Sequence, residues 1–167
     1  MSVARVPPLG VPHRRRPLEG FAVTPFDYHY VAGSDAQTHL FSGVIVQSCV
    51  PLQPLFIRPK GLWDQILEFV DFDGIDFESA ESSRKCDVRA PDKRWAYDVL
   101  QPRNMEFLLS RPSSCIQFEE EYVKVWDRKR LDPWDVEQPL EVGVGILERL
   151  PECVVRQQGG KLWPQSS

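Results

Sequence analysis

No apolar run in the 167 residues approaches the roughly 18 needed to cross a bilayer, so the sequence holds no candidate span. Its opening, MSVARVPPLGVPHRRRPLEG, does not read as a signal peptide, because the arginines follow a short proline-broken stretch instead of preceding an apolar one. There is no C-x-x-C pair. Cys49, Cys86, Cys115 and Cys153 lie tens of residues apart, which excludes the common zinc and redox spacings and any dense secreted disulfide framework, and leaves four reduced thiols. With three histidines in all, the sequence shows no H-E-x-x-H, no Ser-His-Asp order and no glycine-rich phosphate loop. Nor does charge of one sign dominate: 20 basic against 24 acidic residues give a net charge of -4, no global case for nucleic acid or an anionic membrane. These absences together describe a soluble, cytoplasmic chain that calls for no cofactor and whose partner, a protein if there is one, is unspecified.

What is present is the material of one domain, since a chain of this length buries on the order of 70% of its unfolded surface. Residues 1–20 hold four of the fifteen prolines and the HRRR cluster, and read as a flexible leader; 21–156 read as a single domain and 157–167 as a loose tail. FAVTPFDYHYVAG and THLFSGVIVQSCV are runs of β-branched and aromatic residues around the turn-like SDAQ, and so predict a hairpin. PLFIRPK predicts a third strand that Pro54 and Pro59 confine to an edge or an end. In GLWDQILEFV the period changes to that of a helix. A strand around RKCDVRA follows, then a helix in PDKRWAYDVL capped by Asp92, a break near Gln101 and a turn or helix started by Pro102. CIQFEEEYVKVWDR predicts a second hairpin, and Asp132-Pro133 opens a last helix with Val136, Leu140, Val144, Leu147 and Leu150 on one stripe. The order β-β-β-α-β-α-β-β-α, with strands mostly in hairpins, predicts an α+β domain: a largely antiparallel sheet with about three helices.

Few residues invite a chemical reading. Asp71, Asp73 and Asp76 lack the glutamate a calcium loop needs at its twelfth position, which is Ser82. Glu78 and Glu81, ahead of Arg84 and Lys85, read as solvated charges. Asp27 and His29 share one strand face, and His39 lies across the proposed turn; a metal site forms from the three only if the hairpin register sets them opposite one another. Arg14, Arg15 and Arg16 offer a small phosphate or membrane-surface patch; Trp126, in WDRKR, and Trp134 form a second basic-aromatic patch, whose tryptophans read first as core packing. Cys49, at the end of GVIVQSCV, reads as a buried small hydrophobe with no activating neighbour. Gly143 and Gly145 follow no strand and do not make a dinucleotide loop.

Several phrases carry a resemblance: FDYHYVAGSDAQTHLFSGVIVQ, LFIRPKGLWDQI, GIDFESAESSRKCDVRAPDKRWAYDVLQPRNMEFLL, RLDP and ILERLPE, in that order from about Phe26 to Pro151. They are similar to an uncharacterised bacterial domain marked by FDYRYTTGSG, IRPEG, DFES, FSRRFHV, AYDVLHPRMMEFLL and LERIP, often found behind a membrane anchor. The resemblance implies no catalytic residues; it implies an envelope-associated setting if an anchor lies upstream of Met1. Ser82 and Cys86 stand where those phrases have aromatics, so Ser82→Phe with Cys86→Phe is expected to add a few kcal/mol by filling space at about 25 cal/mol per Å². Pro139 inside the last helix is expected to cost about 3 kcal/mol, and Gly143 and Gly145 about 1 each, which marks a shortened, divergent and less stable member. The function expected from all this is a non-catalytic interaction domain. The alternatives are a metal-dependent enzyme using Asp27, His29 and His39, and nucleic-acid or membrane-surface binding through the basic leader.

Overall fold

The computed structural model describes residues 21–32, 37–60, 74–75, 86–111, 114–127 and 136–158. It is an α+β fold, as the alternation of hairpins and helices predicts. Six strands, β1 (Val23–Ala32), β2 (Gln37–Gln47), β3 (Leu55–Pro59), β4 (Cys86–Arg89), β5 (Cys115–Phe118) and β6 (Tyr122–Asp127), form one sheet in the order β1-β2-β6-β5-β3-β4. Every pairing is antiparallel. Both hairpins form where turn chemistry interrupts β-rich runs. The β5–β6 hairpin inserts itself between β2 and β3, so the chain leaving β2 must cross its turn. It does so with its backbone satisfied, Ser48 N–H donating to the Glu121 carbonyl and Leu52 N–H to that of Glu120, both at 2.8 Å.

Insertion of that hairpin moves β3 to the interior of the sheet, against the expectation of an edge or end strand. β3 is flanked by β5 and β4, and its five residues are buried. Pro59 is tolerated because it is the last residue of the strand: β4 still pairs with it, but the pairing with β5 has stopped at Ile57.

Four helices are described: α1 (Lys93–Val99), α2 (Pro102–Leu109), α3 (Glu137–Glu148) and α4 (Glu152–Gln157). The helix expected in GLWDQILEFV lies outside the described residues. Asp92 caps α1 as its sequence suggests, Oδ1 accepting from the N–H groups of Arg94 at 2.9 Å and Trp95 at 3.3 Å. The chain breaks at Gln101, and Pro102 opens α2 as a separate helix. Buried Asn104 then ties two helix ends together, donating from Nδ2 to the Val99 carbonyl at 2.6 Å and the Arg149 carbonyl at 3.3 Å.

The last helix departs from its expected form. It starts at Glu137 behind an N-cap at Val136, so Pro139 falls in the first turn, where an amide has no intrahelical partner to lose. The expected penalty of about 3 kcal/mol for an interior proline therefore does not apply. Leu150 lies beyond the C-cap, and Pro151 starts the unanticipated α4, which buries Val154 and Val155. Nor are the glycines mere weak points. A methyl on Gly143 would meet Val46 Cγ2 at 2.8 Å and Val125 Cγ2 at 3.2 Å, and one on Gly145 would collide with the Phe107 ring. α3 is covered by the sheet on one side and by α2 on another, and each glycine lets one of those layers approach. The single stripe expected of this helix is too narrow, for Val142 through Leu147 are all buried.

The core lies between these helices and one face of the sheet: Val44 and Val46 of β2, Leu55 and Ile57 of β3, Val88 of β4, Ile116 and Phe118 of β5, and Val123 and Val125 of β6. Side chains at i, i+2 in each strand meet there, the period a pleated strand imposes. Cys86 joins this cluster at 8% exposure; Ser82 lies outside the described residues.

Candidate functional site: the open edge of the sheet

The second face of the sheet carries polar chemistry. Arg58 and Phe56 alternate with Leu55 and Ile57 along β3, so they point away from the helices, and Asp87 and Arg89 do the same on β4. Asp87 accepts from Arg58 Nε at 2.8 Å and from Arg89 Nε at 3.3 Å, with Arg58 only 5% exposed. Beside them Phe56 and Trp126 stack with centroids 5.9 Å apart, and Trp126 packs on buried Phe41 and Cys115. Sequence reading missed this network. Its signal was an arginine inside an apolar strand, which needs a carboxylate from another strand.

The thiols divide into two pairs. Cys86 and Cys115 are buried, whereas Cys49 and Cys153 are exposed. Cys49 thus contradicts its reading as a buried residue: β2 ends at Gln47, and Cys49 follows the phase of Ile45 and Gln47 on the second face, not that of Val44 and Val46 in the core. Its thiol is still pushed up, mainly by partial burial. Cys115 is 0% exposed, and burial, reinforced by the Asp127 carboxylate and opposed by Arg58, pushes its thiol up to about 12. It stays protonated at neutral pH, which is the wrong state for a nucleophile.

Asp27, the described member of the metal candidate, accepts a hydrogen bond from Ser42 Oγ at 2.5 Å. The register pairs Asp27 with Ser42, His29 with Leu40 and His39 with Tyr30. His39 is therefore one step out of phase with Asp27 and His29, and the register does not set the three opposite one another. Arg14, Arg15, Arg16, Asp71, Asp73, Asp76, Glu78, Glu81, Arg84, Lys85 and Trp134 lie outside the described residues. A concavity of about 180 Å³ opens on the second face between Ala22, Thr24, Ile45, Gln47, Glu121 and Tyr122. That is below the roughly 300 Å³ at which small-molecule pockets begin.

The most distinctive feature is the edge formed by β1. Gln47 N–H donates to the Ala22 carbonyl at 2.9 Å, which in this register makes Ala22 and Gln47 a hydrogen-bonded pair. In an antiparallel ladder such pairs alternate with non-bonded ones. Thr24, Phe26, Tyr28, Tyr30 and Ala32 therefore turn their backbone groups towards β2, while Val23, Pro25, Asp27, His29 and Val31 turn theirs outward. Pro25 belongs to the outward set, where its missing N–H costs the sheet nothing. Ten consecutive residues pair with β2 without a bulge, and among the described residues no strand pairs with the outer side. Among the described residues the ribbon also outruns its support: β2 pairs with β6 from Ser42 to Gln47, while β1 and β2 pair on to Ala32 and Gln37.

No family profile, curated protein or solved structure matches the chain. Among the described residues, no helix is long and apolar enough to cross a membrane.

Proposed function

We propose that the chain is a non-catalytic binding domain that takes up an extended protein segment as an additional strand alongside β1. The observation that carries this reading is the ten-residue, bulge-free edge strand, whose outward backbone groups have no strand partner among the described residues. Such a row of N–H and C=O groups is a template for β-augmentation, in which main-chain hydrogen bonds provide affinity. The ionisable groups in the interior support a binding role over a reactive one: Asp87 is committed to Arg58 and Arg89, and Cys115 is held protonated. The resemblance to bacterial domains found behind membrane anchors adds that the partner belongs to an envelope-associated assembly.

The test is photo-crosslinking from position 31, in the wild-type sequence and in His29→Pro, which removes one outward N–H and no bond to β2. One discrete protein crosslinked in the wild type, lost in His29→Pro and retained in the distant Arg94→Ala, is the expected result. Crosslinking that ignores His29→Pro overturns the reading. So does stoichiometric transition metal in protein purified without an affinity tag and lost in His29→Ala.

A further inference from the structure

The geometry points to a second copy of this chain as an occupant of the open edge, its β1 running antiparallel to the first across a two-fold axis at Tyr28. The inference rests on the strand-addition reading above. Three observations select this partner.

The first is that the chain itself supplies a suitable strand. β1 is long, regular and unbulged, and among its outward positions only Pro25 lacks a donor. Edge strands are ordinarily protected by lysine, by proline, by bulges or by being short, and of these β1 shows only Pro25, close to one end.

The second is the pairing of residue types. Outward residues must meet outward residues for their N–H and C=O groups to bond, so the axis sits on a residue, and positions 26 to 29 keep at least three outward pairs. An axis at 26 sets Pro25, which has no N–H to donate, against Asp27 near the centre of the contact. An axis at 27 sets Asp27 against the other copy's Asp27, two carboxylates in direct opposition, which is destabilising. With the axis at 28, Asp27 of each copy pairs with His29 of the other, a carboxylate opposite an imidazole, and the contact repeats on both sides of the axis. That register also moves Pro25 to the periphery, opposite Val31. With the axis at 29, His29 meets its own copy and Asp27 meets Val31, so the carboxylate gains no partner.

The third is closure. The other edge, β4, is four residues long, and its outer side is already engaged: Gly74 bridges to Arg89, and Ile75 N–H donates to the Val88 carbonyl at 2.8 Å. A β1-to-β4 contact would repeat into a filament, whereas the isologous β1-to-β1 contact ends at two copies. The product is a dimer with one continuous sheet running through both molecules.

Analytical ultracentrifugation of the full chain over a concentration series tests this. The wild type is expected to move from monomer to dimer and no further. His29→Asp, which leaves the backbone unchanged and places two carboxylates opposite each other on both sides of the axis, is expected to weaken the dimer about tenfold or more. The exchange Asp27→His with His29→Asp restores the pairing in this register only, and is expected to recover the dimer. His29→Pro, which deletes a main-chain hydrogen bond in each copy, is expected to weaken it about 30-fold; if that variant unfolds, the Asp and exchange variants still decide. A dimer indifferent to His29→Asp, or one the exchange fails to restore, overturns the inference. A chain that stays monomeric throughout also overturns it, yet leaves strand addition by another protein to the crosslinking result.

Discussion

At one edge of the sheet β4 runs four residues and meets Gly74 and Ile75 on its outer side; at the other, β1 runs ten residues and meets no strand among those described. Both edges face the same physical problem, a row of backbone donors and acceptors that water must satisfy if nothing else does. β4 is short, bridged, and locked from beneath by Asp87, which binds arginines from β3 and from β4 itself. β1 is long and regular; among the described residues its one strand partner is β2, whose pairing with β6 ends at Ser42, and Val23 near its start packs on the core. The difference teaches that the two edges are closed to different degrees: β4 is bridged and ion-paired, whereas β1 has no outer strand partner among the described residues.

Breaking the closed edge should have the largest effect. Asp87→Ala removes the carboxylate that accepts from buried Arg58 at 2.8 Å, and truncating one partner of a buried pair costs about 3 to 5 kcal/mol. Arg58→Met combined with Asp87→Leu should recover most of that loss. Denaturant midpoints at unchanged slope measure both.

Next is the junction that carries the open edge. A methyl on Gly43 would collide with the Val125 carbonyl and meet the Trp126 Cα at 2.8 Å, atoms of the neighbouring backbone that cannot swing aside. Gly43→Ala should cost about 3 kcal/mol, the upper end for overpacking, because relief requires β2 and β6 to part. Its expected signature is a lower unfolding midpoint together with faster amide exchange in β1 and β2 than in β3 and β4.

Alkali provides a graded version of the same contrast. The Cys115 thiol, beneath Trp126 on the second face, is raised from 9.0 to about 12 in the folded chain. The folded state therefore prefers the protonated form. The stability this thiol contributes is complete below pH 9 and is lost as pH rises from there through about 12, because only the unfolded chain ionises in that window. At pH 10 the loss is on the order of 1 kcal/mol, and Cys115→Ala should remove that part of the decline. The smallest effect belongs to Pro25→Val. The N–H it restores points away from β2, so stability should change by less than about 1 kcal/mol while the edge gains a donor. Equal unfolding midpoints, with tighter dimerisation in the valine variant, are the expected pair of results.

Local chemistry was legible in the sequence wherever neighbours along the chain decide the outcome. Asp92 as a cap, Pro102 as a helix start and the two hairpins follow from caps, fixed proline φ and period-two alternation. Strand order was not legible, because it depends on which hairpin docks where. The β5–β6 insertion that buries β3 and aligns Arg58 with Asp87 joins residues 29 apart in sequence. The two glycines misled for a related reason, since helix propensity describes an isolated helix and α3 is pressed between a sheet and α2, whereas Pro139 misled because the helix starts at Glu137 and so holds it in the first turn. Of the candidate site, the period-two pairing of Asp27 with His29 could be read directly. The register that separates them from His39, and the outward set that includes Pro25, required the partner strand.

Residue-resolved amide hydrogen exchange along β1 tests the open edge most directly, in dilute protein that sediments as a monomer. Open-edge geometry predicts alternation: Asp27, His29 and Val31 exchange fast, while Phe26, Tyr28 and Tyr30, bonded to β2, exchange slowly. The fast set should become protected as concentration drives pairing. Uniformly slow exchange along β1 in the monomer, showing the outward groups already bonded, would contradict the account.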